Sequence, residues 1–226
     1  AVDTVPKIQA LANAVQNVMD GDATKAELES LGITGVTTEN LAAVQAALAA
    51  ATDATQLNTL PHVQAVVNAA VSAYDTAAAK IAAYAQDDGA AAAADASKIP
   101  VLADYTALGV VGIGGAGQPT VAMINSALAD PDITGTLADQ RSEVQAIVDA
   151  YAAVLQSTDG VANNDSDNPT QAQYAALGVN GVDTAQEESL LGDVLDTASR
   201  NGVSTNAAAV DTVPKIQALA NAVQNV

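Results

Sequence analysis

Cysteine, phenylalanine and tryptophan are absent from this chain, and five tyrosines are its whole aromatic complement. The lack of cysteine excludes a disulfide framework, thiol catalysis and a zinc–thiolate site. It does not fix a compartment, since a long extracellular array avoids thiols that would cross-link wrongly and a cytosolic chain can lack them by chance. Histidine occurs once, at His62, beside Pro61. With no second imidazole it reads as a partly exposed first-turn residue of a helix rather than a metal ligand. Serine hydrolysis fails for a related reason: no serine stands in a GxSxG context, and His62 alone would have to serve a nucleophile elsewhere.

Basic side chains are scarce as well, 7 against 26 acidic, for a formal charge of −19. Such a charge repels phosphate backbones and anionic headgroups, so nucleic acid and membrane surfaces are not expected as partners. Multivalent cations are the natural counter-charge. Charges interrupt every alanine-rich stretch, and no membrane insertion is expected of this segment. No signal-peptide pattern is present, which places any targeting information outside these residues.

What the chain has in quantity is alanine, within an apolar fraction of 50%. Alanine has the highest helix propensity and loses no side-chain entropy on ordering, so the fold class expected is all-α, with thin cores between closely spaced backbones.

The chain also repeats itself. Residues 209–226, AVDTVPKIQALANAVQNV, reproduce residues 1–18 letter for letter. Undrifted identity over that length marks a tandem array whose near-identical units are expected to continue on both sides, and repetition points to a structural or adhesive role. A weaker threefold repeat lies inside it: LGITGV at 31–36, LGVVGI at 108–113 and LGVNGV at 177–182. A second marker alternates with the first: KIQALANAV at 7–15, HVQAVVNAAV at 62–71, EVQAIVDAY at 143–151 and KIQALANAV again at 215–223. Gln9, Gln64, Gln145 and Gln217 occupy one place in it. We read helical modules at 1–60, 61–137 and 138–213, with 214–226 opening the next.

Each cycle reads as three helices. The first carries an apolar stripe: Ile8, Leu11, Ala12, Val15 and Val18; then Val63, Val66, Val67, Ala70 and Tyr74; then Val144, Ile147, Val148, Tyr151 and Leu155. Pro6, Pro61 and Pro214 suit the first helical turn, where an amide hydrogen is not needed. A short second helix carries Leu28 and Leu31, Tyr105 and Leu108, or Tyr174 and Leu177, and ends on Gly32, Gly109 or Gly178. The third follows the second glycine, with core candidates Leu41, Val44 and Leu48; Val121, Ile124 and Leu128; and Leu190, Leu191, Val194 and Leu195. Thr24 with Glu27, and Thr184 with Glu187, have capping-box spacing. Segments 19–24, 86–98 and 157–169 read as loops within modules, and 49–60, 129–140 and 199–213 as connectors between them. The alanine run inside 87–98 is left open between loop and helix.

These VQA-type helices, LGVxGV junctions and DITGT or LNTL connectors resemble the helical repeat arrays of very large bacterial surface adhesins and biofilm-matrix proteins. The resemblance implies tandem three-helix-bundle modules arranged end to end as a rod or fibre segment. It also implies an extracellular or cell-surface location and a role in reach, spacing and attachment. A looser likeness is to three-helix albumin-binding modules, from which no contact residue carries over.

Three features compete as sites. Gly112, Gly114 and Gly117 fit GxGxxG, and Asp130 and Asp132 lie downstream, but a dinucleotide site needs a strand before the glycines and a helix opening on them. The segment aligns with two junctions that lack the pattern, so a flexible turn is the ordinary reading. Acidic loops offer calcium ligands: Asp20 and Asp22, Asp87 and Asp88, and best Asp159, Asn163, Asp165 and Asp167, with Asn164 beside them. Calcium takes about six to eight oxygens. None of these loops has the EF-hand glycine and glutamate, and a solvated loop is the ordinary alternative. Asn164 also opens a glycosylation sequon. The five tyrosines read as core with the hydroxyl at the rim.

No cofactor and no enzymatic activity are expected. The expected partners are neighbouring repeats of the same chain and, in a matrix, lateral self-association. A module that captures a partner or host protein between its helices is the alternative.

Overall fold

The computed structural model describes residues 4–51, 55–158, 168–198 and 210–224. Among them the regular structure is helical, with no strand: α1 (Val5–Asp20), α2 (Lys25–Ser30), α3 (Leu41–Ala49), α4 (Leu60–Gln86), α5 (Ala90–Ala94), α6 (Leu102–Ala107), α7 (Val121–Leu128), α8 (Arg141–Ser157), α9 (Gln171–Ala176), α10 (Ala185–Ala198) and α11 (Val213–Gln224). The all-α expectation holds. Single 3-10 turns occupy Ala96–Lys98 and Gly135–Leu137.

The chain divides into two compact units, one of residues 1–78 with 103–109, the other of residues 79–102 with 110–226. In the first, α1 packs on α2 and α3, and Val18, Leu28, Ile33, Val44, Leu48, Val63 and Val67 form the core. In the second, α8 packs on α7, α9 and α10, and α11 on α7 and α10. Its core includes Ile124, Leu128, Val148, Tyr151, Tyr174, Leu177, Leu191 and Leu195.

Local chemistry explains where the helices start and stop. Pro6, Pro61 and Pro214 each stand second in their helix, a position that needs no intrahelical amide. The Thr24 hydroxyl accepts from the Glu27 amide while the Glu27 carboxylate accepts from the Thr24 amide. Thr184 and Glu187 repeat that box. Gly32 and Gly178 end α2 and α9 at φ of 82° and 81°. The next amides, of Ile33 and Val179, reach back to the Leu28 and Tyr174 carbonyls at 3.0 Å, a Schellman closure that only glycine enters without strain.

The structure departs from the sequence reading in several places. The alanine run forms neither a plain loop nor a continuation of α4. Asp88 and Gly89 take left-handed backbone, α4 stops, and α5 starts afresh. Leu190, expected in the core, is exposed on α10, while Leu191 and Leu195 point inward. The largest departure is in α1, where Ile8, Ala12 and Val15 of the expected core stripe face outward and Leu11 is half-exposed; only Val18 is buried.

Candidate functional site

The most recurrent geometry belongs to the marker glutamines. Gln64, near the start of α4, accepts the Thr34 amide at 2.9 Å and donates to the Thr34 carbonyl at 3.0 Å. Gln145 of α8 holds Val111 in the same way, at 3.0 and 3.1 Å. Gln217 of α11 holds Asn180 at 2.7 and 3.0 Å. Thr34, Val111 and Asn180 each precede the second glycine of an LGxxG loop. Both glycines of each loop are left-handed, so the loop turns the intervening peptide groups outward to a side chain that can both donate and accept.

A primary amide has one acceptor oxygen and two donor hydrogens, and here all are used. The second hydrogen goes to the Oδ1 of Asn68, Asp149 or Asn221, each at 2.8 Å and one turn further along the same helix. That bond fixes the amide plane before the loop is met. Each net hydrogen bond contributes about 0.5–1.5 kcal/mol, and its direction sets the register of helix on loop. The recurrence of glutamine was visible in the sequence, but its role was not. The signal was a polar residue held at one place beside an apolar stripe.

The fourth glutamine, Gln9, makes the same orienting bond, to Asn13 at 2.8 Å, yet among the described residues no loop meets it. Here the chain offers a comparison of one sequence in two settings. Val213, Ile216 and Val223 of α11 are 0%, 0% and 7% exposed; Val5, Ile8 and Val15, their counterparts in α1, are 78%, 57% and 48% exposed. Further anchors hold α11. The Val213 amide donates to Ser126 Oγ at 3.0 Å, the Tyr151 hydroxyl donates to the Val210 carbonyl at 2.8 Å, and Gln224 donates to the Gly181 carbonyl at 2.6 Å. Burial pushes the Tyr151 hydroxyl pKa up, and the Asp211 charge adds to this, so it remains a donor.

The other candidates are placed as follows. Gly112, Gly114 and Gly117 sit in a strandless turn that precedes α7, all at positive φ, closed by the Gly114 amide on the Pro119 carbonyl at 2.9 Å. The downstream acids turn elsewhere: the Asp132 carboxylate accepts from the Asn180 side chain, and the Asp130 carboxylate lies close against Gly178. Burial, and then the charges of Asp132 and Asp88, raise the Asp130 pKa against the bond it accepts from the Asp132 amide. Asp20 accepts from Gln16, and Asp87 from the Ala91 amide. His62 is exposed, its Nδ1 2.7 Å from Asn58 Oδ1. Tyr105, Tyr151 and Tyr174 are fully buried rather than rim residues.

Asp159, Asn163, Asn164, Asp165 and Asp167 lie outside the described residues. Among the described residues no group of three or more histidine, aspartate or glutamate side chains could hold a metal ion, and no helix is long and apolar enough to cross a membrane. A pocket of about 290 Å³ beside α4 and α5 is lined by Lys80, Tyr84, Asp87 and Lys98 among others; it offers one carboxylate, where paired carboxylates would have suggested acid–base chemistry. Compared with protein-family models, curated proteins and solved structures, the chain has no match.

Proposed function

We propose that this chain is a segment of a tandem helical array whose work is mechanical. It would be a structural repeat unit of an extracellular bacterial adhesin stalk or matrix fibre, built from three-helix modules joined end to end. The observation that carries this reading is the glutamine clasp, recurring three times and joined to a terminal duplication that presents a fourth glutamine already oriented. Regularly spaced backbone-reading amides suit a repeat protein, because unit and interface stabilities add along the array.

The test is the contour length of the natural gene product by electron microscopy, with antibody labelling of intact cells. The expected result is a rod that lengthens by a constant increment per repeat and is labelled without permeabilisation. A gene product that carries the unit once, as a compact particle labelled only in broken cells, would end the proposal.

One observation favours the alternative, capture of a partner protein. Val15, Met19, Leu31, Leu57 and Leu60 line an apolar groove of about 190 Å³ in the first unit, and Met19 and Leu60 are exposed there. Exposed apolar surface of this kind is common at interaction sites.

A further inference from the structure

We propose that the outward face of α1, carrying Val5, Ile8, Ala12 and Val15 with Gln9, is the seat of residues 1–208 of a preceding copy of this chain, whose own α11 this α1 replaces. That copy would present its Asn180 loop, α7 and α10 to α1 in the register in which they now hold α11, so that one helix closes two copies at once. The inference rests on the array reading and names the joint that it requires.

Two complementary sets of buried residues support the proposal. In α11 the buried set is Val213, Ile216, Ala220 and Val223, while Ala222 is exposed. In α1 the buried set is Ala14, the counterpart of Ala222, and Val18, while Ile8, Ala12 and Val15 are exposed. The same eighteen-residue sequence therefore buries one face against the helices before it and the other against the helices after it. Leu11 and its counterpart Leu219 are half-buried in both settings, so the two faces meet along that edge of the helix.

The helix α8 already combines them. Aligned on its glutamine, Val144, Val148 and Tyr151 match three of the four residues buried in α11, with Arg141 in the place of Val213, and Ala150 and Val154 match the set buried in α1; all five are buried. Gln145 clasps the preceding loop while α8 packs on α9 and α10 after it. What α8 does once inside the chain, the duplicated helix is built to do between copies. Gln9 is ready for it: its bond to Asn13 has the length of the Gln217–Asn221 bond, 2.8 Å.

The native chain has no cysteine, so single thiols report burial without background. Residues 1–208 are joined ahead of a complete 1–226, and Ile8→Cys and Ala14→Cys are made separately in the second copy, with Ile8→Cys in the first copy as the exposed reference. Both second-copy thiols are expected to react about 100-fold more slowly than the reference. A second-copy thiol that reacts at the reference rate, at either position, overturns the shared helix.

Should a substitution unfold the joint, the unsubstituted linked chain decides by calorimetry against two complete 1–226 copies in series. A new transition at lower temperature, present only where the helix must be shared, refutes the proposal. Its absence supports it. Either failure would leave the array reading standing, since that reading falls only with the natural gene product.

Discussion

Replacing Ile216 and, separately, Ile8 by alanine removes the same atoms from the same eighteen-residue sequence. The change in helix propensity is a few tenths of a kcal/mol for both and cancels in the difference. What remains is burial. Ile216 is fully enclosed, whereas Ile8 is 57% exposed. Truncating an enclosed isoleucine to alanine costs about 2–5 kcal/mol through lost transfer free energy and the cavity left behind. An exposed site changes by roughly 0.5 kcal/mol or less. The two variants should therefore differ by about 2–4 kcal/mol. In urea, with a slope of about 1–3 kcal/mol per molar, the Ile216→Ala midpoint should fall by about 1–2 M. Tyrosine fluorescence follows the transition, and hydrogen exchange assigns it to a unit. If Ile8→Ala cost as much as Ile216→Ala, the outward face of α1 would already be covered in the single chain, and both the comparison and the proposed seat would fail.

Gln145→Ala should raise the exchange rate of the Val111 amide and lower stability by about 1–3 kcal/mol, from two lost backbone bonds; Gln145→Glu, which sets a charged oxygen against the Val111 carbonyl and the Asp149 carboxylate, should cost at least as much. Gly178→Ala should cost more than Gly32→Ala by thermal melting. The two share left-handed backbone, but an added Cβ meets Asp130 Oδ1 at 2.6 Å in the first case and nothing within 4 Å in the second; equal losses would show that Asp130 simply moves aside. The amide and then the hydroxyl of Thr24 hold the Glu27 carboxyl below its ordinary 4.5. Its contribution is therefore complete above that value and is lost as pH falls through the lower folded value. Glu27→Gln should flatten the stability profile of the first unit between about pH 5 and pH 2, and an unchanged acid limb would discount the capping box.

The sequence made legible whatever local chemistry decides. Proline in the first turn, the Thr24 and Thr184 boxes, and the glycines after Leu31 and Leu177 all stand where the pattern placed them, because their effects need no distant partner. The α1 stripe was misread for the opposite reason. Periodicity reveals which face of a helix is apolar, not what lies across from it, and α1 and α11 show one sequence with two outcomes. Leu190 failed similarly: it is exposed, while Leu191 and Leu195 on the same helix are fully buried. The glutamines were counted but not interpreted, because their partners are backbone groups 30, 34 and 37 residues earlier and leave no trace in side-chain identity.

That the clasp grips peptide groups has a consequence for variation. Thr34, Val111 and Asn180 occupy one structural place with three unlike side chains, all exposed to solvent. At Val111 selection is therefore free to introduce new chemistry, or an engineer to graft a tag, while the joint beneath keeps its grip; at Asn180 the side chain is itself held by Asp132.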